Sequence, residues 1–242
     1  VEWTPVSDGT ATIHFDGSGK TISNLTCSTG KASFFGKLSG SCSNVSFVNA
    51  SITGTSDICG IVAGEAEAVI SDVYVSGTVT SGVRRTGGLV GYLTGGSLSG
   101  CRAKVSVSNT SGVSVGGLVG EASDAAVMDC ENHGDAIMTG GGSAQVGGLI
   151  CLLNADTASI SGGGNYGKII GDIAATSYKG LLVANFSKLK SVDGVVAGGA
   201  IGTYNGGNYQ METITADNYM KFIGKYTDAN AAKITNITFK AE

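Results

Sequence analysis

Four acids are spaced as if they could work in pairs. Glu67 and Asp124 are separated by the same length of chain as Asp72 and Asp129. Paired carboxylates cleave glycosidic bonds when they stand about 5–9.5 Å apart, one as the acid and the other as nucleophile or base. The two histidines, His14 and His133, are far apart in sequence and suggest neither a metal cluster nor a Ser-His-Asp set. Cys27, Cys42, Cys59, Cys101, Cys130 and Cys151 include no CxxC pair of the kind that zinc sites use. The runs Gly140-Gly141-Gly142 and Gly162-Gly163-Gly164 lack the Lys-Ser/Thr sequel of a phosphate loop and read as inter-strand loops. An aromatic tail holds Tyr204, Tyr209, Tyr219 and Tyr226, which are the candidate ligand contacts because a sugar ring can stack on them. Packing of a terminal cap is the competing use of these rings. No metal, cofactor or catalytic residue is expected.

The elements that must position these groups follow from a repeat. Thr86-Gly87-Gly88-Leu89-Val90-Gly91 recurs as Val115-Gly116-Gly117-Leu118-Val119-Gly120 and as Val146-Gly147-Gly148-Leu149-Ile150. Degenerate copies are Ser33-Phe34-Phe35-Gly36, Cys59-Gly60-Ile61-Val62-Ala63 and Lys179-Gly180-Leu181-Leu182-Val183. With the Leu of each copy as a mark, the marks fall at Phe34, Ile61, Leu89, Leu118, Leu149 and Leu181. Spacings that drift upward by a residue or two describe strands of fixed length joined by loops that accept insertions. Each repeat is long enough for one coil of about three short strands, so the chain reads as a parallel β-helix of about six to seven coils.

The columns of the alignment alternate as strands do. Ile70, Leu98 and Val127 form one inward column, and Val79, Val107 and Ala136 another, while Tyr74, Arg102 and Glu131 face outward. Arg102 and Glu131 then become neighbours across strands. Cys101 and Cys130 stack in the core beneath Val73, where free thiols behave as small hydrophobes; a disulfide across the adjacent rungs is the alternative. Asn132 is placed inward, hydrogen-bonded to a turn. The residue after each mark is also aliphatic (Val62, Val90, Val119, Ile150, Leu182). Either the corner turns both side chains inward, or an outer aliphatic stripe needs a cover.

In this register each pair of acids brackets an empty rung, at Gly95 and Gly100. Two rung steps of about 4.8 Å separate the partners by roughly 9–10 Å, at or beyond the limit for an inverting pair. No Lys or Arg joins either column, which argues against an enzyme.

Composition sets outer limits. The 242 residues include 40 glycines and one proline, with 14% charged residues and a formal net charge of −4. A mean hydropathy of +0.20 is too high for simple disorder. The acidic balance gives no footprint for nucleic acid, and no run approaches the roughly 18 apolar residues of a membrane helix. Arg84-Arg85 is the main basic doublet and reads as a solvated loop tip. An opening at Val1 without a leader fits the expectation of a processed, secreted chain.

Residues 1–190 are assigned to the array, with 1–33 as the first coil, and 191–242 to a capping segment packed on the same domain. Within the cap, Ala216–Tyr226 is expected as a short helix with Asp217 or Thr215 as N-cap. Lys233–Phe239 is expected as a closing strand, because an open rung is an exposed β-edge.

The Gly-Gly-Leu-Val-Gly anchors resemble the GLUG repeat of bacterial surface proteins and of the spine of IgA-specific peptidases. The lead-in Phe15-Asp16-Gly17-Ser18-Gly19-Lys20 and the cysteines of Ser99-Gly100-Cys101 and Met128-Asp129-Cys130 fit the same pattern. The resemblance covers about residues 11–185. It implies a right-handed β-helix, secreted or attached to a bacterial surface, in an adhesive or spacer role toward a host or neighbouring-cell protein or glycan. It carries over no catalytic or binding residues. The sequence therefore favours a non-enzymatic surface module, with a carbohydrate-binding or lyase- or glycosidase-like β-helix as the alternative. A lateral cleft gathering two carboxylates and an aromatic would favour the alternative.

Overall fold

The computed structural model describes residues 2–82, 84–110, 113–140, 145–172, 178–205 and 207–240. It is a β-solenoid of about six turns. Phe35–Gly54 pairs in parallel with Ala63–Ser81 along its length, from Phe35 opposite Ala63 to Gly54 opposite Ser81. Ala63–Ser81 pairs in turn with Val90–Ser99 and Arg102–Asn109. A second, shorter sheet stacks Ile58–Cys59, Arg85–Gly87, Ser114–Gly116, Gln145–Gly147 and Tyr178–Gly180, again in parallel.

Alternation along each strand builds the core. Ile52, Val79, Val107, Ala136, Ile169 and Ile201 stand over one another and are buried. The residues beside them, such as Ser51, Thr53, Thr78 and Thr80, face solvent. Large aromatics fill the first coils: Phe34 stacks on Trp3 with ring centroids 4.7 Å apart and meets Phe35 and Phe47 edge-on.

The anchor is a corner that needs glycine for space. A Cβ on Gly87, Gly116 or Gly147 would lie far inside van der Waals contact of the carbonyl oxygen of Val90, Val119 or Ile150, three residues on in the same rung. The Leu and Val that follow are both buried on every full anchor, so the corner turns both inward and no outer aliphatic stripe exists there.

Pairing also corrects two marks. Val62, not Ile61, stands over Leu89, because Cys59 pairs with Thr86 and Ala63 with Val90. Leu182, not Leu181, continues Leu149, because Gly147 pairs with Gly180 and Ile150 with Val183. In both degenerate copies the surviving glycine (Gly60 or Gly180) is the first of the two. Ile61 and Leu181 replace the second and are buried.

The inward asparagines of the middle coils are satisfied, although Gln145 Oε1 is buried without a partner among the described residues. Asn132 faces inward as expected: its Nδ2 donates to Gly134 O and to Asn165 Oδ1, both at 2.8 Å, and its Oδ1 accepts from Gly134 N. Asn165 repeats the arrangement one rung on, donating to Gly167 O and Gly198 O. All six cysteines are buried free thiols. Cys101 and Cys130 donate to the carbonyls of Ser99 and Met128, two residues back. Burial pushes the Cys42 and Cys151 thiols up to about 12.

The tail departs from expectation. In place of a helix over 216–226 there is a single 3-10 turn at Tyr219–Phe222, and neither Thr215 nor Asp217 is its N-cap. Asn218 holds that position, and its side chain ties Thr213 O and Thr215 N into a local turn that competes with helix. The chain then completes a rung. Ile223 lies beside Leu182, Ile234 pairs with Val192 and Thr238 with Val196. The closing strand therefore forms as two short pieces, Ile234–Thr235 and Thr238–Phe239. Gly162 and Gly163 link strands as expected, while Gly164 already belongs to the next strand; Gly141 and Gly142 lie outside the described residues.

Candidate functional site

The pairs of acids share columns as read: Glu67 pairs with Gly95, and Ser71 with Ser99, which sets Asp72 beside Gly100. Their role is local. Asp72, Asp124 and Asp129 all have positive φ, at 53°, 42° and 50°, in line with Asn44 at 51° and Gly100 at 59°. Asp and Asn tolerate this left-handed conformation better than other residues that carry a Cβ, so the carboxylates mark turns. Asp124 accepts a hydrogen bond from Thr157 on the next rung.

The tail tyrosines do not form one platform. Tyr204 and Tyr209 pair on a hairpin, with centroids 5.5 Å apart, where Ile201–Asn205 runs antiparallel to Asn208–Met211. Tyr209 walls a cavity of about 370 Å³ with Met211, Ile137 and Ile170. Tyr219 stacks on Phe239 and donates to Ile237 O, and Tyr226 meets Phe186 edge-on.

His14 shares a 3.0 Å hydrogen bond with Ser41. His133 is part of a cluster on the outer face. Glu131 bonds Arg102 at 2.7 Å and His133 at 2.8 Å, and His133 stacks on Tyr166. The expected Arg102–Glu131 neighbours are therefore in contact.

A groove that the sequence register hid lies on another lateral face. Lys37, Glu65, Tyr92, Glu121 and Leu152 follow one another across five rungs. Lys31, Asp57, Glu65, Arg85 and Tyr92 line a cavity there of about 460 Å³. Glu65 accepts from Lys31 and Lys37, each at 2.8 Å. Arg85 is not at a loop tip. It lies in a strand of the shorter sheet, 4.3 Å over the Tyr92 ring, with its Nε on Glu121 and its Nη1 3.6 Å from Asp57. The pull of a buried partner explains the correction: the side chains of Arg85 and Glu121 are only 13% and 11% exposed. Arg84 does face solvent.

Counted from Ile61, Glu65 fell out of line with Tyr92 and Glu121. Counted from Val62, all three are equivalent. The signal available was the last glycine of the anchor, since Gly36, Gly64, Gly91 and Gly120 align without a slip.

The groove thus holds three carboxylates, Asp57, Glu65 and Glu121, and an aromatic, with each carboxylate beside a cation. Burial would raise the Glu65 carboxyl, but the hydrogen bonds and charges of Lys31 and Lys37 outweigh it and hold the group below its ordinary value. Such a carboxylate stays ionised at neutral pH and makes a poor general acid.

Comparison with known proteins now places the chain. A family profile described as the GLUG motif matches residues 82–108. This chain carries the GLUG motif. The matched stretch includes the Thr86–Gly91 anchor and contributes Arg85 and Tyr92 to the groove and Arg102 to the outer cluster. Halomucin of Haloquadratum walsbyi is 38% identical over 97 residues, covering 38% of this chain. The match spans only 1% of halomucin's own length. A Bacteroides ovatus structure, described as that of a proposed immunoglobulin A1 protease, aligns over 100% of this chain and 74% of its own. Its TM-score of 0.76 at 22% identity shows the fold that GLUG rungs adopt here. Among the described residues, no helix is long and apolar enough to cross a membrane.

The lysine clamp on Glu65, directly before the GLUG rung, has a pH signature. A folded-state value below the unfolded one contributes stability above about pH 4.5, and that stability is lost as pH falls through the folded value. Denaturation midpoints measured from pH 7 to 3 are expected to fall less steeply for Glu65→Gln than for the wild type. Parallel curves would remove this clamp as a source of acid sensitivity.

Proposed function

We propose that this chain is a non-enzymatic repeat module of an extracellular protein at a bacterial cell surface, adhesin-like, with its lateral groove as the contact site. The observation that carries the reading is the neutralised groove. Glu65 is clamped by two lysines and Glu121 by Arg85, while Asp72, Asp124 and Asp129 hold left-handed turn positions and Glu67 stands in a strand opposite Gly95. That arrangement offers hydrogen bonds to a partner but no proton donor poised against a nucleophile. The similarity to halomucin and the GLUG motif support a surface setting. The partner in this reading is a host or neighbouring-cell protein or glycan.

The catalytic reading draws on the same groove, which does gather carboxylates and an aromatic, and on the description of the Bacteroides ovatus neighbour. One experiment separates the two. Labelled chain is applied to mucin-coated and cell-coated surfaces, and in parallel incubated with a panel of polysaccharides and with immunoglobulin A1. The expected result is saturable binding, weakened by Asp57→Ala, with no new reducing ends and no cleaved peptide. Turnover that disappears in Glu65→Gln or Glu121→Gln would replace the proposal with an enzyme.

A further inference from the structure

A second site lies towards the C-terminal end of the solenoid, between the strand Tyr178–Gly180 and the turn at Tyr219–Phe222. A cavity of about 280 Å³ there is lined by Lys179, Lys221, Lys225 and Glu212, with Tyr178 and Phe222 as its aromatic walls. Three ammonium groups face one carboxylate, in a chain whose formal net charge is −4. In the lateral groove and the outer cluster, by contrast, the cations are matched: Lys31, Lys37, Arg85 and Arg102 all sit on acids. Among the described residues, none of the ion pairs includes a lysine of this cavity.

Lys179 is the most constrained of the three. Its ammonium donates to Gly202 O at 3.1 Å and to the Thr203 hydroxyl, both neutral acceptors. Three N–H donors and two such acceptors leave one donor to spare. Burial pulls its value below that of an ordinary lysine, against the smaller opposing effect of Glu212. Lys225 is held 3.9 Å over the Tyr178 ring, which fixes its position without neutralising it. A half-buried ammonium whose nearest carboxylate is shared among three lysines is unfavourable, and an arriving anion relieves that cost.

We infer that this cavity binds a small oxyanion, a carboxylate or sulfate group, carried by an acidic ligand. The charge balance selects the anion. The volume exceeds what a bare oxyanion fills, and the walls of Tyr178 and Phe222 suit the ring of an acidic sugar. The site is chemically distinct from the balanced groove around Arg85 and does not depend on what that groove contacts.

Titration of the whole chain with inorganic sulfate and with glucuronate, at constant ionic strength, tests this. Amide chemical shifts of Tyr178, Lys179, Gly224 and Lys225 are expected to move saturably. Whichever anion saturates at lower concentration identifies the source as sulfate ester or sugar acid. Lys179→Met is expected to weaken binding about tenfold or more. The exposed Lys221→Ala, which leaves the core untouched, is expected to weaken it about threefold. The inference fails if neither anion gives saturable shifts, or if both variants bind as the wild type does.

Discussion

Gly116→Ala is expected to destabilise the fold by about 3–5 kcal/mol, in the range reserved for backbone or core disruption. The new Cβ would collide with Val119 O and then Cys151 N, and both are backbone atoms in tightly packed rungs. Neither can retreat without dragging the parallel pairing of Val119 with Val90 and Ile150. Gly95→Ala is the matched control. Its Cβ would meet only Glu67 Cγ at 3.4 Å, an ordinary contact with a flexible side chain, and its backbone is not left-handed. A change within about 0.5 kcal/mol is expected there. Chemical denaturation of both variants decides the matter. Equal effects would mean that the anchor glycines serve something other than the corner.

The second large effect is expected at Arg85. Truncation to Ala leaves Glu121, 8% exposed, without its partner, and strips the cation from the Tyr92 face. Removing one member of a buried pair costs about 3–5 kcal/mol. Replacing both, as Arg85→Met with Glu121→Leu, is expected to recover most of the loss, because the penalty lies in the orphaned charge rather than in lost attraction. A double-mutant cycle measured by urea denaturation gives the coupling. If Arg85→Ala costs less than about 1 kcal/mol, water reaches Glu121 and the pair is a surface feature.

These two sites show what sequence alone could and could not supply. The coil columns were legible because period-two alternation is a property of each strand, independent of loop length. Ile70 over Leu98 and Arg102 beside Glu131 both appear where the columns put them. The inward turn of Asn132 was legible for a related reason: a polar residue in an aliphatic column needs a partner, and the turn at Gly134 supplies one. The groove was not legible, because one mark stood a residue out of place. At Cys59–Gly64 the second anchor glycine is replaced by an aliphatic, so the eye takes Ile61 for the leucine. A one-residue slip turns side chains to the other face until something restores the count; here the register shift between Ala66 and Glu67 does so, and Glu65, which lies before it, vanished from its column. The tail failed for a different reason. Helical spacing over 216–226 is a local signal, whereas the need of the last full coil for a neighbour is a tertiary one, and the latter won.

The collision that demands the first anchor glycine is between Gly116 and Val119, within a single coil. The first glycine of each corner therefore answers to its own coil, whereas the second, such as Gly117 against Gly148 O, answers to the next. A whole coil can be duplicated or removed without rewriting the bends of those on either side, provided that the new neighbours match in outline. Lengthening by copies is then the easy direction of change, and alteration inside a coil the hard one. Drifting loop lengths beside fixed corners are what such a history leaves behind.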